Sequence, residues 1–153
     1  MTEPSLRERA LRYLARRDHS RSELTRKLAS HGSAEEIEAV LDRMEELSLQ
    51  SDARMAASWV RGHAGRFGRT RLQSELAHRG VPSELIEEAL DNSEMASELD
   101  RARAVWRAKF HAVPLEAREW ARQARFLHAR GFDAEVVCAL LREKPGDAEE
   151  DAQ

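Results

Sequence analysis

The side chains of this chain that could be put to chemical use are six histidines, one cysteine, a glycine-rich loop and a large arginine complement. His19, His31, His63, His78, His111 and His128 never fall four apart, and none stands at metal-ligand spacing from a cysteine or a carboxylate pair on its own helix. No metal centre is therefore expected. Cys138, between Val137 and Ala139 on a core-facing helix, reads as a buried, inert thiol. No serine, histidine and acid combination has the nucleophile-elbow context of acyl transfer. The stretch Gly62-His63-Ala64-Gly65-Arg66-Phe67-Gly68-Arg69 could cradle a phosphate on its freed amides, with Arg66 and Arg69 nearby. It lacks the lysine and hydroxyl of a P-loop, and no apolar strand precedes it, so it reads as an interhelical connector, with Phe67 as an exposed contact residue. Neither an enzyme nor a cofactor site is expected.

Charge placement is more informative than any single motif. The formal net charge is only −3, but Arg54, Arg61, Arg66, Arg69, Arg71 and Arg79 crowd residues 52–79 against Asp52 and Glu75 alone. The next stretch carries Glu84, Glu87, Glu88, Asp91, Glu94, Glu98 and Asp100 without one base, whereas Arg16, Arg17, Arg21, Arg26 and Lys27 form an earlier basic cluster. Such alternation suits either a solvated face or an electrostatic docking surface for nucleic acid or an acidic protein groove. Arginine favours docking, because its planar fork pairs with carboxylate and phosphate.

The elements that must carry these charges are helices. Charged residues make up 35% of the 153 residues and aromatics 5%, with only four prolines, a balance of surface-rich helices rather than sandwiches or barrels. Leu6, Ala10, Leu11, Tyr13 and Leu14 recur at helical spacing over 5–17. Ser20 and Glu23 then write a capping box for a short helix with Leu24 and Leu28 on one face, and Gly32 is expected to end it in the left-handed conformation. Ser33 and Glu36 make a second box before Ile37, Val40, Leu41, Met44 and Leu47.

The same order returns twice. Ser51 or Asp52 should cap a helix carrying Met55, Ala56, Trp59, Val60 and His63. A short helix with Leu72 and Leu76 ends at Gly80, and Pro82 suits the first turn of a helix with Leu85, Ile86, Ala89 and Leu90. A weaker third copy runs through Met95, Leu99, Ala102 and Trp106, breaks at Pro114, passes Trp120 and Leu127 to Gly131, and ends on Val136, Val137, Leu140 and Leu141. Trp59, Trp106 and Trp120 read as core residues. Leu28, Leu76 and Leu127 stand four before the three glycines, and Ile37, Leu85 and Val136 five after them, so a tandem repeat is expected. The expected organisation is 1–48, 49–92 and 93–143 as helical repeats and 144–153 as a disordered acidic tail. One cysteine and a start without signal-peptide features suggest a reducing, cytoplasmic setting. No apolar run is long enough for a membrane span.

The segment from Ala10 to Leu24, together with Lys27-Leu28, Ser51 to Ala56, Arg71-Leu72, Glu75-Leu76 and Arg79-Gly80-Val81, resembles the RecX regulators of the bacterial RecA recombinase. The likeness covers about residues 6–90 directly and the remainder through the repeat. Ser48, Met55 and Arg79 depart from it, standing where glycine, phenylalanine and lysine are common. The resemblance implies an all-α, elongated, curved array of three tandem three-helix repeats. Such an array would lie along the RecA nucleoprotein filament and restrain its ATPase, strand-exchange and coprotease activities in DNA repair and the SOS response. The implied partner is the RecA filament, with single- or double-stranded DNA as a further one; no membrane is involved, and a monomer is expected. The resemblance fixes no contact residue; from charge placement, Arg16, Arg17, Arg21, Arg26, Lys27, Arg61, Arg66, Arg69, Arg71 and Arg79 are the candidate contacts to acidic RecA surfaces or filament DNA. The alternative is a direct DNA-binding regulator using the helix after Gly32 or Gly80 for recognition. Against it, those helices open with Glu35, Glu36 and Glu38 or Glu84, Glu87 and Glu88, which would meet phosphates.

Overall fold

The computed structural model of this chain describes residues 2–92 and 94–142; the acidic 144–153 segment lies outside the described residues. Among the described residues all regular structure is helical: α1 (Leu6–Arg16), α2 (Arg21–Leu28), α3 (Ala34–Glu46), α4 (Asp52–His63), α5 (Arg69–His78), α6 (Ser83–Asp91), α7 (Glu98–Arg107), α8 (Ala117–Ala129) and α9 (Ala134–Leu141). None of them is long and apolar enough to cross a membrane. Met95 precedes α7 rather than belonging to it.

Serine and aspartate side chains start most of these helices by accepting an otherwise unpaired amide. Ser5, Ser33, Ser51, Ser97 and Asp133 take the amides of Glu8, Glu36, Arg54, Asp100 and Val136. Both capping boxes form: Ser20 accepts from the Glu23 amide at 3.0 Å while Glu23 accepts from the Ser20 amide at 3.1 Å, and Ser33 with Glu36 does the same. Pro82 occupies the N-cap of α6, not its first turn, and gives no side-chain cap. Its ψ of 143° is extended, which places it just outside the helix.

Packing separates the described residues into two compact units, 2–60 with 74–92 and 61–73 with 94–142, and the divide falls inside α4 and α5. In the first, α1, α2 and α3 enclose Ala10, Leu24, Leu28, Ile37, Leu41 and Met44. In the second, α7, α8 and α9 enclose Ala102, Val105, Ala124, Leu127, Phe132, Val137, Leu140 and Leu141, with Trp106 and Trp120 partly buried against them. Leu28, Leu76 and Leu127 are each wholly buried. Truncating such a leucine to alanine costs about 2–5 kcal/mol, so this column holds each unit's core. Cys138 is half-buried, not buried: it lies beside the core-facing Val137, one residue round the helix.

The turn after each middle helix corrects the repeat register. Gly80 and Gly131 are left-handed, with φ of 79° and 90°. Each closes a Schellman cap: the Val81 amide donates to the Leu76 carbonyl and the Phe132 amide to the Leu127 carbonyl, with the glycine amides bonded to Ala77 and His128. Gly32 is not among the left-handed residues. There the His31 amide closes a tighter bond to Leu28, and residue 33 is a polar serine rather than the apolar Val81 or Phe132 that seals the other caps. Gly32 instead lies where a Cβ would press on the Leu6 methyl at 2.7 Å. The connection from Leu28 to the N-cap Ser33 is consequently one residue shorter than those from Leu76 to Pro82 and from Leu127 to Asp133. Counting from the helix start, the buried equivalents are Ile37, Ile86 and Val137, whereas Leu85 and Val136 are only half-buried.

Candidate contact surface

Middle-helix N-termini carry much of the candidate charge, and the same joint holds two of them. Arg21 opens α2, and its amide donates to Asp52 Oδ1 at 2.8 Å; Arg69 opens α5, and its amide donates to Glu98 Oε1 at 3.2 Å. Asp52 and Glu98 are themselves the first residues of α4 and α7. One residue earlier, Ser20 Oγ donates to the Arg79 carbonyl and the Gly68 amide donates to the Arg130 carbonyl, both C-cap carbonyls of Schellman turns. A Cβ on Gly80 would run into Ser22, and one on Gly131 into Arg71. The first two middle helices, α2 and α5, are thus each seated on the glycine turn of the next repeat and capped by the acid that opens that repeat's first helix.

In the first unit this seating consumes part of the basic cluster. Arg21 reaches Asp42 at 2.8 Å and Glu45 at 3.3 Å. Arg17 pairs with the nearly buried Glu23 at 2.7 Å. Arg79 pairs with Glu75 at 3.5 Å and lies over the Trp59 ring. Arg54 bonds Asp18 at 3.1 Å. Arg16, Arg26 and Lys27 are exposed; Arg26 donates to the His78 carbonyl and Lys27 lies 4.9 Å from the Tyr13 ring centroid. These three present their charge outward with no carboxylate partner among the described residues.

His19 stands behind the cluster, 3% exposed, its Nδ1 3.0 Å from the Arg17 carbonyl. Burial pushes its imidazole below the usual range, outweighing the upward pull of that bond. Burial pushes Glu23 upward, but the Arg17 guanidinium and the Ser20 amide more than offset it and hold the carboxyl below its ordinary value.

In the second unit the glycine loop is organised by a residue that sequence reasoning missed. Arg101, on α7 and 8% exposed, donates to the carbonyls of Ala64 at 2.9 Å and Phe67 at 2.6 Å. Its Nε is buried without a partner, and burial drives its pKa down against the opposing pull of Glu98. Four amides of this stretch are bonded internally: Arg66 and Phe67 donate to His63, Gly68 to Arg130 and Thr70 to Gly131. Phe67 is half-buried rather than exposed, with the His63 ring stacked on it at 6.2 Å and Arg71 at 4.1 Å and Arg66 at 5.5 Å from its centroid. Arg71 also donates to the Ala129 carbonyl. Arg61 and Arg66 are exposed. A second omission is the basic run of the third repeat, where Arg107, Lys109, Arg118, Arg122, Arg125 and Arg130 face only Glu116 and Glu119 between positions 107 and 130. Its signal was legible as charge placement, the same measure that marked the earlier clusters.

Three family models match in series: the first three-helix domain of RecX over residues 7–44, the second over 51–90 and the third over 96–141. A "Regulatory protein RecX" of Leptothrix cholodnii is 50% identical over 139 residues, covering 90% of this chain and 88% of that relative. One of Ralstonia nicotianae is 43% identical over 139 residues, covering 90% and 87%. Among solved structures, a crystal structure of regulatory protein RecX superposes with a TM-score of 0.79 at 22% identity over 90% of this chain and 72% of that one. RecX from Lactobacillus salivarius does so with 0.75 at 18% identity over 97% and 96%. These superpositions establish the fold, and the sequence matches across all three helical repeats carry the assignment: this chain belongs to the RecX family of regulatory proteins.

Proposed function

We propose that this protein binds the RecA–DNA filament and restrains RecA's ATPase, strand-exchange and coprotease activities, acting as a cytoplasmic monomer in DNA repair and the SOS response. The supporting observation is the series of three RecX domains between residues 7 and 141, at 50% identity to a protein named as a regulator. The outward cations Arg16, Arg26, Lys27, Arg61 and Arg66 support contact with an acidic protein surface or with filament phosphates. The protein acts by occupancy rather than chemistry.

Direct reading of duplex DNA by α3 has less behind it. Glu35 and Glu36 are exposed in its first turn, and the Ser33 amide and hydroxyl hold Glu36 below the ordinary carboxylate range, so its charge persists where phosphates would approach.

Single-stranded-DNA-dependent ATP hydrolysis by RecA, followed while this protein is titrated in, tests the proposal. Hydrolysis should fall as the protein approaches stoichiometry with RecA. An unchanged rate at and beyond that ratio would overturn the reading.

A further inference from the structure

Among the described residues two buried side-chain polar atoms lack a hydrogen-bond partner, Gln50 Oε1 and Arg101 Nε, and both sit where one repeat meets the next. A buried polar group left partly unsatisfied calls for a reason. In the first joint Gln50, 3% exposed, donates to the His19 carbonyl in the connection between α1 and α2, and to Asp52 Oδ1. In the second joint Arg101 donates to the Ala64 and Phe67 carbonyls in the connection between α4 and α5. Each side chain is thus a donor sent from one repeat into the interhelical connection of the repeat before it.

They differ in charge and reach. A neutral amide holds the first connection at one carbonyl, so closing a joint requires no charge. The Arg101 guanidinium instead spreads its planar fork of donors over two carbonyls and buries a cation whose two bonds go to neutral acceptors. Between those carbonyls lie Gly65, where a Cβ would meet nothing within 4 Å, and the exposed Arg66. A glycine with open space around it leaves the backbone many conformations. The fork beneath the residues on either side therefore sets the direction in which Arg66 leaves the chain. It also fixes Phe67, on whose ring His63 stacks and against which Arg71 lies at 4.1 Å.

We infer that Arg101 is a positioning residue for the basic surface of the second repeat: seated beneath residues 64–67, it fixes the backbone from which Arg66 projects and the ring against which Arg71 lies, so that the third repeat governs how the second presents its charge. The inference rests on the reading of Arg66 as a filament contact. Arg101 itself, buried under the connection, touches no partner.

The test compares Arg101→Met, which keeps the stem without a donor, with Arg101→Lys, which keeps the charge without the fork, and Arg101→Gln, which offers the donor that serves at Gln50. Hydrogen exchange of the full chain, read by mass spectrometry without RecA, should run about tenfold faster over residues 62–70 in Arg101→Met and be unchanged over α1 to α3, with Arg101→Lys between. Half-inhibition of RecA ATP hydrolysis should then need about tenfold more protein. A double-mutant cycle separates positioning from a merely structural role: Arg66→Glu should add less than about twofold in the Arg101→Met background, whereas whatever Arg26→Glu costs in the parent chain it should cost again. If Arg101→Met does not fold, Arg101→Gln carries the same cycle. Unchanged exchange over 62–70, exchange raised equally along the chain in every variant, or the full Arg66→Glu effect in the variant background would overturn the inference. A parent chain that leaves RecA hydrolysis untouched would overturn the proposed function instead, and the exchange comparison would still decide whether Arg101 holds the loop.

Discussion

Ser48 holds a φ of 58° at the end of α3, the only left-handed non-glycine residue among those described. Its amide donates to Glu45 and the Leu49 amide to Met44, the same Schellman pattern that Gly80 and Gly131 complete elsewhere. A side chain in that conformation costs about 1–2 kcal/mol, against about 0.5–1 kcal/mol for the extra freedom of glycine in the unfolded chain. Ser48→Gly should therefore stabilise the protein by about 0.5–1 kcal/mol, seen as a higher urea midpoint. His19 makes a second prediction at this scale. Its imidazole is held neutral by burial, so the unfolded chain takes up a proton near the ordinary value of 6.5 before the folded one does. Stability is full above that pH and falls as pH drops through it. Glu23, whose pKa is lowered in the fold, adds a separate loss as pH falls below its ordinary 4.5. Urea midpoints measured across pH should show the upper step vanish in His19→Asn, while the lower one remains.

The seats of α2 and α5 depend on glycine at positions 80 and 131. In Gly131→Ala the new methyl would meet the Arg71 backbone in a conformation with φ of 90°, and neither the backbone nor the dihedral can yield cheaply. A loss of about 2–4 kcal/mol is expected, and a similar one for Gly80→Ala against Ser22. Gly32→Ala need only displace the Leu6 methyl and should cost about 1 kcal/mol or less. Gly62 sits inside α4 with open space around it, so Gly62→Ala should instead stabilise by about 1 kcal/mol. Thermal melts of the four variants would order them; equal losses at 32 and 131 would contradict the assigned turn types. The acid cap belongs to the same joint, and Glu98→Ala removes the partner of the Arg69 amide.

For the molecule as a whole, the ten candidate cations do not share one role. Arg17, Arg21 and Arg79 are drawn into ion pairs within the first unit, whereas Arg26, Lys27, Arg61 and Arg66 present charge to solvent. Reversing Arg26 with Lys27, or Arg61 with Arg66, to glutamate should raise the concentration needed for half-inhibition of RecA ATP hydrolysis about tenfold at low salt. The melting temperature should stay unchanged. Arg21→Glu should lower the melting temperature by itself, because it places a third carboxylate beside Asp42 and Glu45. Inhibition that survives both outward reversals would mean that neither cluster touches the filament.

Periodicity and capping residues were sufficient to read the helices, their order and their tandem copies, because those depend on neighbours within a few positions: Ser20 with Glu23, Ser33 with Glu36, Leu24 with Leu28. The residues matching RecX were likewise legible in the chain itself. Register between copies was not, since the three glycines align from the preceding leucine while the helix that follows starts one residue earlier in the first copy. Nor could spacing show that Arg21 turns inward to Asp42 while Arg26 turns out, or that Arg101 lies under the glycine loop. Charge can be counted along a chain, but its exposure depends on partners 20 to 60 positions away, and only tertiary contact brings those within hydrogen-bonding distance.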